Sequence, residues 1–271
     1  RELIHLHVGQ AGIRVGSACW ELYCLEHGIQ ADGSREECGP HDVGSAIFAE
    51  APEARFVPRC LFVDTEPDAM DEVLKGPHCG LFGQEQLIAG KRSSGGAYSA
   101  GKCTHGKLYI DAIMDRARIL AESCDCLDGF VMQHACAGGA GSGLGALLLE
   151  QLKIEYGKQK NRVATTIWPS PHRASSVVEP FNAVLCSSIL ADSATSIMVV
   201  DNEAVFDICA KRLGVEQPSF SNINRLLAQV ASSLTAPMCF NNGSTESLTD
   251  LASCMTPYPR IDWLLPSYAP L

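Results

Sequence analysis

Gln133-His134-Ala135-Cys136-Ala137-Gly138-Gly139-Ala140-Gly141-Ser142-Gly143 separates two apolar runs. The run before it, Gly129-Phe130-Val131-Met132, reads as a buried strand, and the run after it, Leu144 to Glu150, reads as a helix. A strand, a glycine-rich turn and a helix in that order make an anion site. Small residues let backbone N–H groups approach a phosphate, and the helix N-terminus adds partial positive charge. The loop does not end in Gly-Lys-Ser/Thr, so it is not a P-loop, and its glycine spacing fits the dinucleotide fingerprint poorly. The chemistry it predicts is phosphate or nucleotide binding with no lysine in the loop.

Other candidates stand just beyond other apolar runs. Gln10 and Ala11 follow Leu3–Val8, and Asp64 and Glu66 follow Leu61-Phe62-Val63. Ser175 and Glu179 lie downstream of the run ending at Trp168, and Asn202 follows the run ending at Val200. In a doubly wound sheet, ligands sit beyond the carboxyl ends of the strands. Five strand ends aimed at one crevice are a stronger signal than any single motif.

The elements that must position them follow from periodicity. In Leu3–Val8, Ile4, Leu6 and Val8 face one way and Leu3, His5 and His7 the other. The next helix ends near Gly28, a C-cap candidate. Residues 31–55 are polar, acidic and rich in Gly and Pro, and read as a surface loop. Asp111 to Ala121 reads as a helix with Ile110, Ile113, Met114, Ala117 and Leu120 on one face. Strands recur at 129–134, 163–168 and 197–201. This alternation predicts an α/β fold, a doubly wound, mostly parallel sheet covered on both faces. After Pro218, a helix over about 221–235 carries Ile223, Leu226, Leu227, Val230, Ala231 and Leu234 as an apolar stripe. The expected division is a nucleotide domain over 1–239, including that helix, and the beginning of a second domain over 240–271.

The totals set bounds. The 271 residues are 46% hydrophobic and 19% charged, an ordinary globular composition. Thirty-one acids against 21 bases give a net charge of −10, which argues against nucleic acid as a partner. A triphosphate would meet an unfavourable overall field, so local N–H groups and a metal must hold it. The 13 cysteines form no framework, and reduced thiols in a cytosolic protein are the expectation. Cys124, Cys126 and Cys136 include no CxxC pair and read as inert thiols rather than a zinc site. His5 and His7 read as hydrogen-bonded core histidines. No apolar run reaches the ~18 residues of a membrane span. Asn242-Gly243-Ser244 reads as a turn.

The letters of the glycine loop resemble the tubulin signature, a run close to Gly-Gly-Gly-Thr-Gly-Ser-Gly, with Ala137 for the first glycine and Ala140 for the threonine. His7-Val8-Gly9-Gln10-Ala11-Gly12, Val178-Glu179-Pro180-Phe181-Asn182, Val200-Asp201-Asn202-Glu203-Ala204 and Pro257-Tyr258-Pro259-Arg260 resemble the same family. Ala18-Cys19-Trp20-Glu21-Leu22-Tyr23-Cys24-Leu25-Glu26-His27-Gly28-Ile29-Gln30 points to alpha-tubulin rather than beta. The resemblance runs along essentially the whole chain and covers the first part of a full-length family member.

It implies a tubulin-type, Rossmann-like GTPase domain with a central helix, and GTP with Mg²⁺ as cofactors. By resemblance, Gln10, Ala11, Ala135, Gly138, Gly139, Ala140 and Gly141 line the phosphates, and Glu66 binds Mg²⁺ through water. Ser175 and Glu179 approach the sugar, Asn202 and Asn224 read the guanine edge, and Phe220 stands where the family has a stacking Tyr. An Asn offers both a donor and an acceptor, which suits a purine edge. Asp250, in Ser247-Leu248-Thr249-Asp250, matches the family's catalytic Glu, which completes the site of a stacked beta subunit. It keeps the charge but is one methylene shorter, and displacements of about 1 Å can cost ~10²-fold. Further departures fall on the phosphates. Ser93 replaces an acid that organises the metal, Gly96 an Asn, Ala135 a serine and Ala140 the threonine. Each lost hydrogen bond to a charged group costs about 1.5–3 kcal/mol.

Two readings follow. The first is an alpha-tubulin-like, GTP-binding constituent of microtubules, located in cytoplasm and cytoskeleton. Its partners are beta-tubulin and tubulin-folding chaperones, with no nucleic acid or membrane, and any GTPase activity is impaired. The second is a degenerate relative with weak GTP binding and no polymerisation. With so few residues after 240, the chain alone is not expected to build microtubules.

Overall fold

In the computed structural model the described residues are 1–35, 46–52, 55–172, 174, 176–240, 247–256, 258 and 261–267. Ser175, Arg173 and the Asn242-Gly243-Ser244 turn lie outside them, as do Pro257, Pro259 and Arg260 of the last family motif.

The chain runs β1 (Glu2–Val8), α1 (Gly9–His27), β2 (Phe48–Ala51), β3 (Arg55–Pro58), β4 (Cys60–Asp64), α2 (Asp68–Lys75), β5 (Leu87–Ala89) and α3 (Gly106–Glu122). It continues through β6 (Leu127–Ala135), α4 (Gly145–Tyr156), β7 (Asn161–Trp168), α5 (Glu179–Ser193), β8 (Ser196–Asp201), α6 (Asn202–Lys211), α7 (Phe220–Cys239), α8 (Leu248–Met255) and β9 (Trp263–Leu264). Seven strands form one sheet in the order β5-β4-β1-β6-β7-β8-β9. Every pairing in it is parallel. The strand order reverses between β1 and β6, so the switch point of this doubly wound sheet lies there, and a ligand crevice is expected beyond those two carboxyl ends.

The pleat sorts side chains to two cores. Ile4, Leu6 and Val8 enter the core with Ile113, Leu144, Leu148 and Leu190, under α3, α4 and α5. Leu3 enters the other core with Trp20, Tyr23, Ile223 and Leu227, under α1 and α7. The alternation read in Leu3–Val8 is therefore the register observed. Gly28 caps α1 in the left-handed conformation, with φ 65°.

Two elements differ from the periodicity reading. The stretch read as a surface loop over 31–55 contains β2, which pairs antiparallel with β3. Phe48 anchors the hairpin because it is buried against Trp20, 5.4 Å between ring centroids. Helix α7 reaches Cys239 and includes Pro237. A proline in the last turn removes one backbone donor without ending the helix early, and the N–H of Phe240 still reaches the Ala236 carbonyl at 2.9 Å.

Beyond 240, α8 begins at a capping box of Ser247 and Asp250, and the N–H of Leu248 donates to Asp128 at the start of β6. Strand β9 adds to the sheet edge beside β8. No helix among the described residues is long and apolar enough to cross a membrane.

Candidate nucleotide-binding site

A cleft with a cavity volume of about 340 Å³ opens at the switch point. Gly9, Gln10 and Ala11 enter it from the start of α1, and Asp64, Glu66 and Asp68 from the end of β4 and the start of α2. Ala135 through Gly141 contribute all but the buried Cys136, Ser94 and Gly96 face them, and Ser170, Glu179, Asn202, Phe206 and Phe220 complete the wall. Of the residues singled out in the sequence, Gln10, Ala11, Glu66, Ala135, Gly138, Gly139, Ala140, Gly141, Glu179, Asn202 and Phe220 share this one cleft.

Close backbone approaches explain the small residues. A Cβ at Gly9, whose φ is +73°, would lie 2.7 Å from the Gly141 nitrogen. The starts of α1 and of the helix after the glycine loop therefore meet across the cleft floor. That second helix opens with a widened, π-helical turn at Ala140–Leu144 before α4 begins. The Ser142 N–H bonds back to the Gly138 carbonyl at 2.9 Å, and the N–H groups just before it stand at a helix start, where a helix leaves donors without an intrahelical partner.

The loop is held from behind. The His134 ring lies 3.1 Å from the Gly141 carbonyl and 2.9 Å from the Thr166 hydroxyl, and burial pushes its pKa down to about 4. It is a neutral buried strut. Asn182 ties three segments together. Its amide donates to the Gly96 and Ala137 carbonyls at 2.6 and 2.7 Å, and its oxygen accepts from the Tyr98 N–H at 3.0 Å. Asn182 stood in a family motif without a role read from sequence, and the structure makes it the brace of the cleft rim.

The electrostatics are one-sided. No lysine or arginine stands among the described residues lining the cleft, while Asp64, Glu66, Asp68 and Glu179 do. Burial raises the Asp64 pKa to about 6, against the pull of the Thr65 and Glu66 N–H groups. The Ser93 hydroxyl donates to Glu66 at 2.5 Å and accepts from the Gly95 N–H at 3.0 Å. An anion here needs backbone N–H donors and a cation to bridge it to the acidic wall.

On the other side the rings of Phe220 and Phe206 meet edge to face, 5.5 Å apart, and Phe220 remains 57% exposed. Asn224, one turn along α7, lines an adjoining groove with Ile13, Arg14 and Ser17, and this groove shares Ala69 and Phe220 with the cleft. Asn224 therefore stands next to the cleft, beyond Phe220. Ser170, which donates to Glu203 at 2.9 Å, and Phe206 carry no local sequence signal for their positions in the wall.

Asp250 is at the other end of the molecule. It accepts from the Ser247 hydroxyl at 2.6 Å and lies 3.8 Å from Arg1, just before β1. The seven residues of β1 separate that end from the cleft, roughly 20 Å at the usual strand rise. Those contacts, with the Ser247 hydroxyl first, hold the Asp250 carboxyl below the ordinary range.

Cys124 and Cys126 precede β6 and Cys136 follows it, so that trio is not assembled. The ligand-type trio that is assembled, His134, Cys136 and Cys186, is buried with its atoms within 4.8 Å of one another. Both His134 nitrogens already have partners, and its neighbour Cys136, with burial, pushes the Cys186 thiol up. His5 departs from the hydrogen-bonded reading. It is fully buried and, among the described residues, has no hydrogen-bond partner on either ring nitrogen, whereas His7 accepts from the Trp20 indole at 3.0 Å.

Comparison with known proteins agrees with this architecture. The model of the "Tubulin/FtsZ family, GTPase domain" matches residues 2–210. The "Tubulin alpha-3 chain" of Zea mays is 47% identical over 275 residues, which cover 100% of this chain and 61% of that protein. The chain therefore spans about three-fifths of the length of that relative. A cleft built by a glycine loop at the switch point of a doubly wound sheet, together with the family match over residues 2–210, places the protein in the Tubulin/FtsZ family.

Proposed function

We propose that the chain binds GTP, with Mg²⁺, in this cleft and acts as an alpha-type tubulin subunit that pairs with beta-tubulin in the cytoskeleton. The observation that carries the reading is the pairing of a glycine loop at a helix start with an acidic wall that, among the described residues, has no basic residue. Such a site takes an anion only with a cation between them. Asp64 and Glu66, both on the cleft wall, would hold that cation, directly or through water. The polyphosphate would lie along Gly138–Gly141, and Phe220 would offer its face to the base with Asn202 beside it. The cation would neutralise charge and draw the Asp64 carboxyl to its ionised form.

The place of Asp250 supports a role toward another molecule. From the amino ends of the strands it cannot reach the nucleotide of its own chain, but it can meet one carried by a neighbour. Its engagement with Ser247 limits that role, because one carboxylate oxygen is already used in capping α8. Tubulin-folding chaperones are the partners expected for the nascent chain.

The rival, a tubulin relative that binds GTP poorly and does not polymerise, rests on Ala135, Ala140, Ser93 and Gly96, where the resemblance leads one to expect hydrogen-bonding or acidic side chains. Calorimetric titration of the purified chain with GTP and ATP, each with and without Mg²⁺, separates the two. Saturable GTP binding that needs Mg²⁺ and exceeds ATP binding by tenfold or more supports the first reading. Equal, weak response to both nucleotides supports the rival. Co-sedimentation with polymerising beta-tubulin partners tests the subunit role separately.

A further inference from the structure

Behind the glycine loop, on the side of the sheet that α3, α4 and α5 cover, one point of the core is not aliphatic. His134, Cys136 and Cys186 meet there, with one ligand-type atom from each within 4.8 Å of the other two. All three are fully buried, and the two cysteines share this core with Leu144, Leu148, Ala183 and Leu190. The fold sets all three positions. His134 pairs with Thr166 in the β6–β7 ladder, and the N–H of Cys136 still reaches the Ile167 carbonyl at 3.0 Å. The chain is therefore extended across both, and side chains two apart in an extended chain share one face. Cys186 comes from α5, four residues after Asn182 and on the same buried face of that helix. The Asn182 amide is bonded to the Ala137 carbonyl at 2.7 Å, so the brace that holds the cleft rim also brings Cys186 up to Cys136.

The imidazole is in the tautomer that a metal needs. The Gly141 carbonyl only accepts, so Nδ1 carries the proton, and Nε2 keeps its lone pair, which the Thr166 hydroxyl meets at 2.9 Å. A ligating histidine commonly gives its other N–H to a backbone carbonyl, which fixes the ring. Two sulfurs and one imidazole nitrogen suit a soft or borderline ion and not Mg²⁺, which takes oxygen. Charge selects among those ions. A divalent ion with two thiolates and a neutral imidazole sums to zero, whereas a monovalent ion would leave a negative charge in an apolar core. We propose that His134, Cys136 and Cys186 form a zinc site behind the glycine loop, separate from the nucleotide cleft. Zinc bonds of about 2.3 Å to sulfur and about 2.0–2.1 Å to nitrogen put ligand atoms about 3.6–4.0 Å apart, so the trio closes by roughly 1 Å through side-chain rotation. The fourth ligand that zinc usually takes is the Thr166 hydroxyl, released from Nε2, or a water. Each thiol gives its proton to solvent as the ion binds. The bound ion ties the end of β6 to α5 and stiffens the base of the loop.

The test is metal titration of the full chain, reduced, stripped with chelator and free of nucleotide and Mg²⁺, so that its outcome is independent of the GTP reading. Zn²⁺ should bind saturably with release of protons. Co²⁺ in its place should show thiolate-to-cobalt charge transfer and the strong visible bands of four-coordinate geometry. Cys136→Ser and Cys186→Ala should each weaken Zn²⁺ binding by more than the roughly 10- to 100-fold typical of losing an outer-shell partner. Cys186→Ala leaves the loop backbone untouched, and circular dichroism reports whether it folds. Zn²⁺ should raise the melting temperature of the wild type and not of Cys186→Ala. A chain carrying Cys124→Ser and Cys126→Ser together should keep wild-type zinc affinity. A wild type with no saturable zinc binding overturns the proposal, as does a cobalt spectrum without the thiolate band. So does undiminished zinc affinity in a folded Cys186→Ala chain, or loss of affinity in the Cys124→Ser, Cys126→Ser chain, which would move the ion to those thiols.

Discussion

Gly138→Ala separates the ligand role of the glycine loop from its structural role. A Cβ added at Gly138 meets nothing within 4 Å, although the residue lines the cleft. Gly138 is also not one of the described glycines with positive φ, so alanine brings no backbone strain. Through the unfolded chain alone, glycine to alanine at such a position stabilises by about 0.4–1 kcal/mol. The melting temperature of the ligand-free protein should therefore hold or rise slightly. The same methyl stands where a phosphate must come within about 2.9 Å of backbone nitrogen. Loss of one such charge-assisted bond costs about 1.5–3 kcal/mol, or roughly 10- to 100-fold in Kd. The comparison variant is Gly101→Ala, whose Cβ would lie 2.0 Å from the Gly139 carbonyl oxygen and must push the loop aside. That change should lower stability and affinity together. Thermal melts and GTP titrations of the two variants are the assay. Wild-type GTP affinity in a folded Gly138→Ala chain would refute the placement of phosphate on this loop.

Three further outcomes are expected. Ser93→Asp with Ala140→Thr should raise GTP affinity in Mg²⁺ but not in chelator, because the new carboxylate stands against Glu66 and needs a cation between them; no calorimetric gain in Mg²⁺ means the phosphate contacts are misplaced. Asp64 has a folded pKa of about 6 against the ordinary 3.8, so its cost to the ligand-free fold grows as pH rises from about 4 to about 6 and is complete above that. Asp64→Asn should then stabilise the ligand-free chain on the order of 1–3 kcal/mol near neutral pH, with the difference vanishing near pH 4 in denaturant titrations; a pH-independent difference contradicts the assignment. His5, whose pKa burial lowers from 6.5 to about 4, works in the other direction. The unfolded chain takes up its proton first, so stability is lost as pH falls below about 6.5. His5→Leu removes two unpaired ring nitrogens and should add about 1–3 kcal/mol at neutral pH while making the acid loss shallower; lowered stability at neutral pH would show that the imidazole has a partner.

Much of this architecture is legible in the residues because it is periodic. The alternation in Leu3–Val8 and the apolar run before the glycine loop place the two central strands, and the candidates beyond them fall on one cleft. The hairpin Phe48–Ala51 with Arg55–Pro58 was hidden because four-residue strands hold too little alternation to stand out from a polar stretch. Its stability comes from Phe48 packing on Trp20, a distant residue. The C-terminal turn of α7 was hidden by Pro237, which is a helix breaker in the interior but tolerable in a last turn. The cleft braces were hidden for a different reason. Asn182, Ser94, Ser170 and Phe206 lie in four separate segments, and nothing in their local sequence says which loop each will face.

The central claim is that the cleft at the switch point is a guanine nucleotide site. The most direct measurement is denaturation of chain purified without added nucleotide, followed by chromatography of what is released. A guanine nucleotide in near one-to-one amount, lost from the Gly138→Ala chain, is the predicted result. A chain that releases no nucleotide and takes up none from millimolar GTP with Mg²⁺ would contradict it.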